Sequence, residues 1–231
     1  MKFDKFKNKH KGQRCFIIGC APSLRDEDLS LLDGEEVFVC NKAFLASGNH
    51  NLPDYSYYVM SDPKVHADIV KYHREEFYSI SKPRIYSQAI VKHKPGHIDL
   101  CEDFITIKKD YGIPLNHPKA KFPKSFDGGW GLTGTVVYEA TITAYFMGFS
   151  EIYLLGVDMD FSNKNDTHFY SMGPREFNDR NTMERSWERI KASAVIIREG
   201  CESRGVKFVN LSKGFNNPEM IPVDTLENIL K

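Results

Sequence analysis

An α/β domain with a mostly parallel sheet, helices on both faces and an irregular insertion is the fold class this sequence predicts. Short, wholly apolar runs of strand length recur along the chain. Most are followed by a loop rich in glycine, proline, serine, asparagine or aspartate, beyond which a helical pattern opens. The length of 231 residues suits one such domain. A chain of that size hides roughly 70% of its unfolded surface and folds without disulfides.

Residues 1–14 are a basic leader in which Lys2, Lys5, Lys7, Lys9, Lys11 and Arg14 face a single acid, Asp4. A solvated, frayed terminus is the expectation. The alternative is peripheral contact of Phe3, Phe6 and these lysines with an anionic surface such as the inner membrane. Residues 15–231 read as a single domain. Cys15 to Ile18 is the first strand, and Ser23 ahead of Asp26 has the N-cap pattern of a helix reaching about Asp33 before Gly34. Glu36 to Cys40 and Tyr55 to Met60 repeat the strand signal. Asp62-Pro63 then supplies an N-cap and a first-turn proline for a helix that places Val65, Ile69 and Tyr72 on one face.

From about 79 to 126 the rhythm weakens. Arg84 to Tyr86 and Phe104 to Ile107 look like strands, while Pro83, Pro95, Pro114, Pro118 and Pro123 break the connections. This is the irregular insertion, of the kind that covers a site as a lid or acceptor loop. The glycine-dense stretch Gly128 to Thr135 opens a helix to about Met147 that is apolar nearly all round and therefore buried. Glu151 to Val157 is the clearest strand. Met183, Trp187, Ile190, Ala194 and Ile197 keep helical spacing to about Glu202, and Val206 to Asn210 is a last strand.

Composition narrows the function. Lys+Arg and Asp+Glu are equal at 31 each, so no global field draws in nucleic acid, and the aromatics do not interleave with a basic groove. Cys15, Cys20, Cys40, Cys101 and Cys201 are odd in number and lack zinc spacing, which predicts reduced thiols and a cytoplasmic setting. No apolar stretch has the roughly 18 residues of a membrane span. His93, His97 and His117 lack metal spacing. No G-x-S-x-G elbow, G-x-G-x-x-G fingerprint or P-loop is present.

In a parallel sheet the loops after the strands meet at the carboxyl edge, where a ligand crevice opens. Gly19, Cys20 and Ser23 form the first loop, whose backbone N–H groups and hydroxyl suit an anion at a helix start. Thr133 and Gly134 repeat that offer before the buried helix. Asn41 at the end of the second strand has an amide able to read a base or ribose. Asp62 serves either as an N-cap or as a ligand contact. Asp158 and Asp160 form a D-x-D that would share one face if the strand continues, and would then hold Mg²⁺ or Mn²⁺ on a diphosphate. Asp158 alone equally suits a ribose hydroxyl. In the polar loop beyond, His168 is the candidate general base and Tyr170 a phosphate donor. Together these point to a nucleotide-using enzyme.

As an ordered set, Phe16-Ile17-Ile18-Gly19-Cys20-Ala21-Pro22-Ser23-Leu24, Val37-Phe38-Val39-Cys40-Asn41, Thr133-Gly134 and Glu151 to Asp158 resemble a known family. It is that of the bacterial sialyltransferases of the Campylobacter lipooligosaccharide type, with wider relatives that include hydroxymethylpterin diphosphokinase-like and flagellin-modifying proteins. The resemblance covers about 15 to 62 and 128 to 170. It implies a modified Rossmann fold, a CMP-activated acidic sugar and an inverting transfer by a histidine base with no metal cofactor required. It also implies a cell-surface glycan or lipid-linked acceptor, hence polysaccharide or lipopolysaccharide assembly, and homo-oligomers. Asn41 and Asp158 would contact the nucleotide, and Thr133-Gly134 would line its cytidine or phosphate. The sequence departs from the family where Cys20, Ala21 and Asp62 stand. Asp160 replaces a tyrosine, and no histidine follows His168, so the base is His168 or an acid such as Glu176 or Asp179. Three functions stay in play: a glycosyltransferase first, then an ATP- and Mg²⁺-dependent diphosphotransferase, then a non-catalytic nucleotide-binding relative.

Overall fold

The computed structural model describes residues 3–93, 104–108, 117, 120–131, 133–160, 162–163, 166–171 and 174–231, with the side chains of 49, 93, 104 and 174–185 left aside. Cys101, His97 and the side chains of His93, Glu176 and Asp179 lie outside that set. Among the described residues seven strands form one sheet: β1 (Arg14–Ile18), β2 (Glu36–Cys40), β3 (Tyr57–Met60), β4 (Arg84–Ser87), β5 (Phe104–Ile107), β6 (Glu151–Leu155) and β7 (Lys207–Asn210). All neighbours pair in parallel, in the order β5-β4-β3-β2-β1-β6-β7. The helices are α1 (Ala46–Asn49), α2 (Pro63–Tyr72), α3 (Arg74–Tyr78), α4 (Gln88–His93), α5 (Val136–Phe146), α6 (Pro174–Glu202) and α7 (Leu226–Ile229). Among the described residues no helix is long and apolar enough to cross a membrane.

Period-two alternation divides each strand between two cores. Cys15 and Ile17 of β1 join Phe38, Val59 and Ile85 beneath α5 and α6. Phe16 and Ile18 join Val37, Val39, Tyr58 and Leu155 on the opposite face, against Leu24, Leu29, Ile69 and Phe77. A strand buried on both faces must be apolar at every position, which is why these runs read so clearly. Helix α5 is buried from Val137 to Ala144, and its polar members Thr141 and Thr143 turn their hydroxyls back onto the helix carbonyls of Val137 and Glu139. Within 79–126, strands β4 and β5 carry the sheet outward in parallel register.

Three local readings change. The leader is not frayed. Phe3 and Phe6 are buried in the α5-side core, Phe3 stacked on Phe126 at 3.6 Å between ring centroids. His10 stacks on Phe149 at 4.5 Å and meets the Tyr57 hydroxyl at 2.7 Å, so neither phenylalanine is available to a membrane surface. Backbone bonds from Asn8 to Phe146 and His10 to Met147 tie the segment down. Second, no long helix follows Ser23. Two 3₁₀ turns, Pro22–Asp26 and Leu29–Leu32, stand there, Ala21 occupies the cap position, and Ser23 makes no cap bond. A five-residue turn presents little of a helix dipole, so any pull on an anion there would come from individual backbone groups. Third, Tyr72 lies exposed at the end of α2, whose buried face is His66, Asp68 and Ile69.

Candidate functional site

Strand order reverses beside β1: the chain leaves it toward β2 and later returns to its other side as β6. The connection after β1 covers one face of the sheet and α6 after β6 covers the other, so this is the switch point at which open α/β sheets bind ligands. Here the two loops touch. The N–H of Gly19 donates to Leu155 O at 2.8 Å and that of Ala21 to Gly156 O at 2.8 Å. A Cβ on Gly19 would overlap the Gly156 carbonyl oxygen, so only glycine permits the approach.

Asp158 and Ser23 complete this floor. The Ser23 backbone N–H donates to Asp158 Oδ2 at 2.9 Å and its hydroxyl donates to Oδ1. Asp158 is 9% exposed, and Gly214 from the loop after β7 packs against its carboxyl. Burial raises the Asp158 pKa, with the Ser23 bonds opposing and nearby Asp160 adding to the rise. Val157 is held in the same way, its N–H by Ser212 Oγ at 2.8 Å and its carbonyl by Asn210 Nδ2 at 2.9 Å.

The premise of the D-x-D reading, a strand continuing through both acids, is not met. Strand β6 ends at Leu155, and Gly156 and Met159 take positive φ of 63° and 54°. Asp160 turns outward and accepts from Ser162 N at 2.8 Å, which lowers its pKa. The two carboxylates serve separate turns. Among the described residues no three His, Cys, Asp or Glu side chains gather as a metal cage.

The walls rise from the neighbouring loops. Asn41, just past β2, takes a left-handed φ of 52°, and its side-chain Oδ1 is buried with no hydrogen-bond partner among the described residues. A buried orphan acceptor costs about 1–3 kcal/mol, so a ligand N–H or O–H there would be rewarded. Half-buried Cys20 reaches the Cys40 carbonyl at 3.4 Å. Before α5, Thr133 is buried with its hydroxyl 2.9 Å from Thr135 O and 3.2 Å from Glu139 Oε1, and Gly134 with φ of 78° packs on Ile190. Tyr138 of α5 reaches Met159 Sδ at 3.4 Å, placing that helix start beside the β6 loop. Asp62 caps α2 through Lys64 N at 2.7 Å and is exposed, the structural one of its two expected roles.

The segment 166–170 crosses over the first loop, since the Phe169 N–H donates to Cys20 O at 2.9 Å. His168 is half-buried, its Nδ1 at 2.9 Å from Thr167 Oγ1 and its ring 5.0 Å from that of Tyr170. The Tyr170 ring in turn lies 5.2 Å from the Lys42 ammonium, next to Asn41. His168, Tyr170, Lys42 and Asn41 thus form a connected rim.

This fold is shared with solved structures. No family model and no curated protein matches the chain. The sialyltransferase CstII of Campylobacter jejuni, in complex with a substrate analogue, cytidine-5'-monophosphate, superposes with a TM-score of 0.54 at 12% identity, over 92% of this chain and 85% of that one. The monofunctional α-2,3-sialyltransferase Cst-I of the same organism gives 0.54 at 14% identity, over 92% and 80%. CST-II in complex with trisaccharide acceptor and CMP gives 0.53 at 15%, over 91% and 86%. At these identities the likeness establishes the modified Rossmann-like fold.

Sequence reasoning missed Lys42, Asp68, Arg25, Glu139 and the Asn210–Ser212–Gly214 turn. The visible signal for Lys42 is its place directly after Asn41 at a strand end, and for Asp68 its place beside Ile69 on the inward side of α2. For Asp158 the geometry yields a prediction. Because its folded pKa is raised, the native state keeps a proton that the unfolded chain has lost. The residue's contribution is therefore fully present below the unfolded value and is lost as pH rises through the raised one. Asp158→Asn, which can still bond Ser23, should flatten that descent in urea midpoints as pH rises from the ordinary carboxylate range. Asp158→Ala should cost about 1–3 kcal/mol by stranding the Ser23 donors.

Proposed function

We propose that this chain is a glycosyltransferase that takes a CMP-activated acidic sugar and passes it to a hydroxyl of a glycan or lipid-linked acceptor. The observation that carries the reading is the meeting of the β1 and β6 loops at the switch point, with the orphan Asn41 acceptor and His168 linked beside it through Lys42 and Tyr170. Support comes from structures of the same fold that are complexes of sialyltransferases with CMP. Asn41, Thr133, Gly134 and the backbone of Gly19 and Cys20 would receive the nucleotide, and Tyr170 its phosphate. Asp158 would act chiefly by holding the β1 and β6 loops at the right separation. His168 would take the acceptor proton as the sugar leaves CMP, and the Tyr170 hydroxyl would donate to the departing phosphate. No step needs a divalent cation at Asp158 and Asp160.

A thermal-shift panel tests this. At about 100 times its Kd, a ligand binding only the native state adds about 2.7 kcal/mol, which for a chain of this size is roughly 5–10 °C in Tm. CMP is expected to give that rise with or without chelator, with UMP and GMP giving less. A response to ATP with Mg²⁺ and none to CMP would instead mark a diphosphotransferase. A response to no nucleotide overturns the reading altogether.

A further inference from the structure

We infer that Arg25 is a positioning residue that suspends His168 over the crevice, an inference that rests on the transferase reading above. Arg25 sits in the turn directly behind Ser23, whose bonds to Asp158 fix that turn to the floor. Its guanidinium is directed wholly at segment 166–170. Nε donates to Phe169 O at 2.9 Å, Nη1 to Asp166 Oδ2 at 2.9 Å, and Nη2 to Asp166 Oδ1 and His168 O at 2.6 Å each. The segment belongs to no helix or strand, so its path depends on such side-chain bonds. The Phe169 N–H also donates to Cys20 O, and the Phe169 side chain is buried in the core.

The Arg25 and Asp166 side chains are 39% and 41% exposed. Exposed ion pairs add little to global stability, so a four-bond fork at this place has its main consequence locally, in where the His168 backbone sits. The Asp166 pKa is lowered by the bond from Arg25, keeping the clamp charged down to acidic pH. Lysine cannot replace the fork, because a single ammonium cannot span two carboxylate oxygens and two carbonyls in one plane.

The experiment compares full-length wild type with Arg25→Lys, Arg25→Gln and Asp166→Asn by amide exchange, urea unfolding, CMP affinity and turnover. Arg25→Lys is expected to leave the unfolding midpoint unchanged while amides 167–171 exchange about tenfold faster. Turnover should fall about 100-fold, as misplacing a catalytic group by about 1 Å does, with CMP affinity within about twofold of wild type. Asp166→Asn should lie between. Unchanged exchange and turnover in Arg25→Lys would overturn the inference. Equal losses of CMP affinity and turnover would do so too, by making Arg25 a donor ligand. A wild type inert toward every nucleotide sugar, with exchange still loosened by Arg25→Lys, would instead refute the transferase reading and leave the clamp standing.

Discussion

Replacing Lys42 with alanine is expected to cost about 3–5 kcal/mol of folding free energy, whereas Lys42→Met combined with Asp68→Leu costs far less. The Lys42 and Asp68 side chains are 2% and 5% exposed, and Nζ lies 2.9 Å from Oδ2. Two charges drawn out of water remain tolerable because each neutralises the other. Removing one takes this ion pair from a second charge that stays buried. With a total stability of about 5–15 kcal/mol for a domain, the single variant sits near the edge of folding. Urea midpoints with unchanged m-values measure it. A cost below about 1 kcal/mol for Lys42→Ala would show that the pair is not desolvated. The pair also borders the site: Lys42 adjoins Asn41 and lies under the Tyr170 ring. The double variant separates its structural part from any effect on ligand affinity.

The parallel sheet was legible because burial on both faces forces strands such as Cys15 to Ile18 and Ile152 to Leu155 to be apolar throughout. The loops were legible because glycine, asparagine and aspartate punctuate each strand end. What those loop residues do with their side chains was not. Ser23 and Asp158 lie 135 positions apart and satisfy each other, a pairing that only the neighbouring of β1 and β6 creates. The D-x-D pattern failed for a local reason, the left-handed turns at Gly156 and Met159, which period-two reasoning cannot foresee. The leader misled through its charge. Its lysines carry the composition, while Phe3, Phe6 and His10, spaced to reach one side, decide the packing against Phe126, Tyr57 and Phe149. Lys42 and Arg25 look like ordinary surface cations in sequence, and only their distant partners distinguish them.

His168→Ala is expected to lower turnover by about 10²–10⁴-fold while CMP still raises the melting temperature as in wild type. The expectation follows from placement. The histidine stands on a segment held by Arg25 and by Cys20 O, with Thr167 Oγ1 at 2.9 Å from Nδ1 and the Tyr170 ring beside it. The ring is half-buried against Tyr170, so urea midpoints of His168→Ala are measured beside turnover to separate folding from the chemical step. Histidine changes charge between about pH 5 and 8, and a base must be neutral to accept a proton. Wild-type kcat/KM should therefore fall on the acidic side of that range, and the residual rate of His168→Ala should lack that limb. Tyr170→Phe is the companion measurement. It keeps the ring packed on His168 at 5.0 Å but removes the hydroxyl, so a loss confined to donor affinity would separate phosphate recognition from proton transfer. Full turnover in His168→Ala would move the base elsewhere, to the side chains of α6 such as Glu176 or Asp179, and remove the reason for suspending this segment over the crevice.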